Sequence, residues 1–173
     1  MKNQNDLKGL GGWLILVGIG VIFSPIRLLV SYVPLYYQIL SDGTWEALTT
    51  VGSEAYNPLW EPILMGEIVY NLGIFVLSIY LIYFFFSKHY LFPRFYIALL
   101  LAPIIFIPMD AWVVTLVLPN EPMFDPEAAK EFARALIGAF IWVPYLFISK
   151  RVQVTFVEKM QNNQMQPTAE SVG

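Results

Sequence analysis

The sequence predicts an all-α fold: a polytopic membrane protein with four transmembrane helices in a bundle and both termini in the cytoplasm. Three observations support this prediction, namely four long apolar segments, a low content of charge, and an uneven distribution of Lys and Arg between the connections. Of the 173 residues, 57% are hydrophobic and 13% are charged, whereas about 25% are charged in an ordinary soluble domain. Because so few polar side chains cannot cover a water-facing surface, we expect most of the chain to face lipid.

The four spans are expected at about residues 10–32, 60–86, 95–118 and 132–148. Each reaches the roughly 17 residues that the shortest transmembrane helices need. Pro25 and Pro34 are expected to bend the first helix or to end it, because proline removes a helical hydrogen bond. Pro103 and Pro108 predict a kinked third helix that packs within the bundle, where neighbouring side chains satisfy the freed carbonyl groups.

The start of the fourth helix has a local sequence pattern of its own. Asp125 is placed as the N-cap residue, Pro126 occupies the first helical position, and Glu127 compensates the helix dipole. This helix is therefore expected to begin before it enters the membrane, and to end near Ser149.

The distribution of Lys and Arg predicts the orientation. One side of the membrane, which holds the two termini and the turn between the second and third spans, has Lys2, Lys8, Lys88, Arg94, Lys150, Arg151 and Lys159. The other side has Lys130, with Arg134 at its edge. Since short loops rich in Lys and Arg stay in the cytoplasm, both termini are expected there.

The length leaves no room for a separate soluble domain of typical size. We therefore expect residues 1–160 to form one transmembrane domain. Residues 161–173 are polar and lack apolar periodicity, so they are predicted to be a disordered cytoplasmic tail.

The composition also argues against several classes of function. The chain has no cysteine, which excludes a thiol nucleophile, and its single histidine, His89, argues against a zinc site. Gly18 and Gly20 do not form a dinucleotide motif, because the third glycine is missing. We therefore expect no catalytic residues, no cofactor, no metal and no nucleic-acid partner.

Two stretches of the sequence resemble a known family. The first comprises Leu10-Gly11-Gly12-Trp13-Leu14 and, further along the same helix, Ser24-Pro25-Ile26-Arg27. The second comprises Ile141-Trp142-Val143-Pro144-Tyr145-Leu146, then Ser149-Lys150-Arg151-Val152 and Thr155-Phe156. Over about residues 10–157 the chain resembles a family of small bacterial inner-membrane proteins, the domain of unknown function 2569. The resemblance implies four helices in a bacterial plasma membrane and supplies no activity.

Five polar residues inside the predicted spans form the candidate site: Arg27, Glu67, Asn71, Asp110 and Arg134. At about 1.5 Å per residue, the four charges all fall in the half of the membrane away from the termini. Because an unpaired charge at mid-bilayer costs at least about 2.5 kcal/mol, they are expected to converge and neutralise one another. Arg27 and Glu67 are one pair that such a convergence is expected to bring together.

Two readings of this cluster stay open. In the first, the charges only hold the helices together, and the protein is a small accessory or scaffold protein that packs against lipids, another membrane protein or a second copy of itself. In the second, the cluster lines a cavity open to the outside, and the protein is a transporter or channel-like unit for a small solute or for protons. The sequence alone favours the accessory role slightly.

Overall fold

The computed structural model describes residues 9–156, which form six helices and no strand. The helices are α1 (Trp13–Ser41), α2 (Thr44–Thr49), α3 (Trp60–Phe86), α4 (Phe92–Thr115), α5 (Pro126–Ile148) and α6 (Lys150–Thr155). Four of them, α1, α3, α4 and α5, are long and apolar enough to cross a membrane. The predicted all-α class with four spanning helices is therefore confirmed. The predicted tail at residues 161–173 lies outside the described residues, and the assignment of residues 1–160 to one domain stays a prediction.

The bounds of the long helices differ from the sequence prediction mainly where proline occurs. Helix α1 continues through Pro25 and Pro34 to Ser41, nine residues beyond its predicted end. An apolar helix tolerates proline when neighbouring groups take over the lost hydrogen bond, so Pro34 does not end it. Helix α4 begins at Phe92, three residues earlier than predicted, because Pro93 suits the first turn, where no backbone donor is needed.

The predicted start of the fourth spanning helix is confirmed. Asp125 is the N-cap residue of α5, and its Oδ1 accepts a hydrogen bond of 2.7 Å from the backbone N–H of Ala128. The sequence analysis missed two short helices, α2 and α6, which lie outside the four spans that it predicted. Gly43, with a φ of 83°, makes the left-handed turn that leads into α2.

The long helices pack in chain order. Helix α3 lies between α1 and α4, and α4 lies between α3 and α5, whereas α1 and α5 are not a closely packed pair. We call the end of the bundle where α1 begins and α5 ends the termini end. The opposite end, where α1 connects to α3 and α4 to α5, is the loop end.

The hydrophobic core lies at the termini end. It is formed by Leu14, Val17, Val21, Leu81, Phe85, Phe92, Tyr96, Leu146, Val152 and Phe156. The ring of Phe85 lies so close to Gly18 that a Cβ atom on this glycine would be 2.7 Å from it. The close approach of α1 and α3 at this end therefore depends on the missing side chain.

Helix α6 closes the termini end. Val152 and Phe156 are buried in the core. Thr155 Oγ1 accepts a hydrogen bond from the N–H of Gly9 at 3.2 Å and lies 3.3 Å from the carbonyl oxygen of the same residue, to which it donates. The segment before α1 and the segment after α5 are thereby held together.

Candidate functional site: a charged cavity at the loop end

A cavity of about 960 Å³ lies among the four long helices and reaches the connection between α4 and α5. All five polar residues singled out from the sequence line it, namely Arg27, Glu67, Asn71, Asp110 and Arg134. Helical spacing places Gly20, Ser24 and Arg27 on one face of α1, and this face lines the cavity.

The cavity has an apolar floor on the side of the core. Gly20 of α1, together with Leu99 and Leu100 of α4, belongs to this floor. Tyr96 lines the cavity as well, and its ring stacks on Phe92 of the core at a centroid distance of 5.4 Å. The packed aromatic residues of the termini end thus limit the cavity in that direction.

Both arginines of the cavity pair with the same carboxylate. Arg27 Nη2 lies 3.1 Å from Glu131 Oε1, and Arg134 Nη1 lies 3.6 Å from the same oxygen. The side chains of Arg27 and Glu131 are 56% and 41% exposed, so water or a solute reaches this pair. The structure differs here from the expected pairing of Arg27 with Glu67. The contact joins α1 to α5, which do not otherwise pack closely.

Sequence reasoning missed Glu131 because it placed the start of the fourth crossing at residue 132 and counted the preceding residues as outside the membrane. Two signals pointed to this residue. Glu131 is spaced three residues before Arg134 on a helix, which brings the two side chains together. In addition, Arg27 needs an anion at a similar depth of the membrane.

Glu67 and Asp110 line the cavity without a cationic partner among residues 9–156, because neither of the ion pairs there includes them. Both side chains are half-buried. Glu67 lies about 10 Å along α3 from its first residue, and Asp110 lies about 8 Å from the last residue of α4. Two carboxylates at this depth need a proton, water or a bound cation to offset their charge.

Asn71 links the carboxylate side of the cavity to α1. Its Nδ2 donates to the hydroxyl oxygen of Tyr36 at 2.8 Å and to the carbonyl oxygen of Glu67 at 3.0 Å. A second contact fixes α3 against α4, since the rings of Tyr70 and Phe106 stack in parallel with a centroid distance of 3.6 Å. The wall that presents Glu67 is therefore held by hydrogen bonding on one side and by stacking on the other.

This arrangement suits binding of a small molecule. A cavity with apolar walls and a few polar groups has the composition of typical ligand sites. Among residues 9–156, no three His, Asp or Glu side chains are placed to hold a metal ion.

Comparison with known proteins gives the family. A family model described as a protein of unknown function, DUF2569, matches residues 7–157. The chain belongs to this family. No curated protein and no solved structure matches the chain.

The stretches that carried the resemblance to DUF2569 meet at the termini end. The guanidinium group of Arg151 lies against Gly11, where a Cβ atom would be 2.8 Å from Nη1. Phe156 packs on Phe85 and Phe92 of the core, with centroid distances of 6.0 Å and 4.6 Å. Residues of the two stretches thus contribute to the packed end of the bundle, whereas Ser24, Ile26 and Arg27 line the cavity.

Proposed function

We propose that this DUF2569 protein is a small-solute transporter of the bacterial plasma membrane and that the cavity at the loop end is its binding site. The observation that carries the proposal is the cavity itself. Its volume of about 960 Å³ lies within the range of about 300–1,000 Å³ that is typical of ligand pockets. Its mixture of apolar wall and charged groups recurs where polar solutes pass a membrane.

The packed core at the termini end favours the function of a transporter rather than that of an open channel. The cavity reaches the connection between α4 and α5 at one end, while Phe85, Phe92 and Tyr96 are buried at the other. A bundle with one open and one closed end has the form of one state of an alternating-access transporter. Release on the closed side would require the core at the termini end to loosen.

The accessory role that the sequence favoured needs no cavity. Charges that only hold helices together are expected to pair with one another, whereas Glu67 and Asp110 line the cavity with no cationic partner among residues 9–156. For this reason we prefer solute binding.

The orientation belongs to the proposal. With both termini in the cytoplasm, the loop end and the cavity face the periplasm. A reporter that is active only in the periplasm should then work when fused at Gly52 or Asn120 and fail at His89. Activity at His89 would reverse the orientation and would make the cavity cytoplasmic.

Native mass spectrometry of the protein in lipid nanodiscs tests solute binding. We expect the wild type to retain a small molecule and Gly138→Phe to lose it, because Gly138 lines the cavity and a phenyl group there occupies the space. Gly73→Phe is the matched control, since Gly73 is exposed on α3 and does not line the cavity. A foreign protein at fixed stoichiometry, with no molecule retained, would support the accessory role instead.

A further inference from the structure

We infer that the solute is an organic cation with an apolar body, bound with its charge against Glu67 and Asp110 and its body against the aromatic wall and floor. This inference rests on the proposed function, since it names the class of solute that the same cavity takes. The charge of the cavity lining and its apolar, aromatic surface support the inference independently.

The first support is the balance of charge in the cavity. Two guanidinium groups line it, from Arg27 and Arg134, and both are paired with Glu131. Four further carboxylates line it, from Glu67, Asp110, Glu121 and Asp125. The lining is therefore anionic overall, which attracts cations and repels anions.

The position of the unpaired carboxylates locates the cation. Asp125 already accepts the helix-capping hydrogen bond of Ala128, and Glu121 is exposed in the connection at the mouth. Glu67 and Asp110 lie deeper, inside α3 and α4, and both are half-buried. A charge is attracted more strongly where water screens it less, so a cation is held best between these two side chains.

The second support is the apolar and aromatic surface beside the carboxylates. The stacked pair of Tyr70 and Phe106 lines the cavity, and Tyr32 and Tyr96 line it too. Aromatic faces attract organic cations and also bury apolar groups. A small hydrated metal ion would use neither this surface nor most of the volume, whereas an organic cation uses both.

Two probes of nearly equal shape and opposite charge test the inference: tetraphenylphosphonium and tetraphenylborate. Binding of each is measured at equilibrium to the full-length protein in lipid nanodiscs, with empty nanodiscs subtracted to remove partition into lipid. We expect saturable binding of tetraphenylphosphonium and none of tetraphenylborate. Glu67→Gln and Asp110→Asn should each weaken binding of the cation about tenfold or more. Glu61→Gln is the matched control on α3, because Glu61 does not line the cavity, and it should leave the affinity unchanged.

The outcomes separate this inference from the proposed function. Equal binding of both probes, or cation binding that Glu67→Gln and Asp110→Asn leave intact, would overturn the inference. A third result would also overturn the inference: neither probe binds, but the wild type retains a native molecule that Gly138→Phe loses. The proposed function, solute binding, would then still be supported. If neither probe binds and no native molecule is retained, both proposals fail.

Discussion

The termini end and the loop end of this bundle are built by the same four helices but are stabilised by different interactions. At the termini end, ten buried apolar side chains interlock, and α6 closes the bundle with Val152 and Phe156. At the loop end the helices leave a cavity of about 960 Å³, and charged side chains occupy its wall. Close apolar packing dominates at the termini end, whereas the loop end is held by a stacked aromatic pair, hydrogen bonds, a helix cap and one carboxylate shared by two arginines.

Two glycines illustrate the difference. Gly18 lies in the core, where an added Cβ atom would be 2.7 Å from Phe85. Gly138 lines the cavity, where an added Cβ atom would meet nothing within 4 Å. Packed interiors do not yield to an added methyl group, whereas a cavity accepts one. Rigidity at one end and free space at the other are what a binding site on a stable scaffold requires.

The largest expected effect comes from removing a core ring. Phe92 is fully buried and packs on Phe85, Tyr96 and Phe156. Phe92→Ala should lower the free energy of unfolding by about 3–5 kcal/mol, because it leaves a cavity in the core. Unfolding in mixed detergent micelles measures the change. Phe140→Ala is the control, since Phe140 is 84% exposed and should cost little. Equal losses in the two variants would contradict the burial of Phe92 and the exposure of Phe140.

A smaller effect is expected from adding a methyl group. Gly18→Ala should destabilise the protein by about 1–3 kcal/mol through overpacking against Phe85. Gly138→Ala should be neutral or slightly stabilising, because alanine is a better helix former and finds space there. The same unfolding assay compares them. A larger loss of stability in Gly138→Ala than in Gly18→Ala would show that the space beside Gly138 is filled when the protein is in a membrane-like environment.

Next in size is the helix cap at the loop end. Asp125→Ala removes the acceptor for Ala128 N–H and should cost about 1 kcal/mol. Hydrogen exchange of the first turn of α5 should increase, while exchange in the core at the termini end should not. Asn120→Ala, in the preceding connection, serves as the control. Uniform faster exchange throughout the bundle would show that the two ends are not independent.

The smallest effect is expected for the ion pair that joins α1 to α5. Because Arg27 and Glu131 are about half exposed, their coupling should be about 0.2–1 kcal/mol. A double-mutant cycle with Arg27→Gln and Glu131→Gln measures it. The matched cycle with Arg27→Gln and Glu67→Gln should give no coupling beyond error. A larger coupling between Arg27 and Glu67 than between Arg27 and Glu131 would show that Arg27 pairs with Glu67, as the sequence analysis expected.

Much of the fold follows from local pattern. Apolar length predicted all four spanning helices, and α3 has the predicted bounds. The Asp125-Pro126-Glu127 pattern located the start of α5, because capping depends on residues within one helical turn. The same local reasoning put Arg27, Glu67, Asp110 and Arg134 in one half of the membrane, and these four residues line one cavity together with Asn71.

The sequence by itself thus determined that four helices are long and apolar enough to span a membrane, and how α5 begins. Tertiary structure alone decided which neighbour each polar residue meets, that Arg27 pairs with Glu131, and that Glu67 and Asp110 stay without a cationic partner among residues 9–156. The physical reason is that lipid and a protein core are both apolar. An apolar pattern therefore does not show which face of a membrane helix is turned inward or which helix lies beside it. The orientation of each helix and its neighbours decide every contact in the cavity.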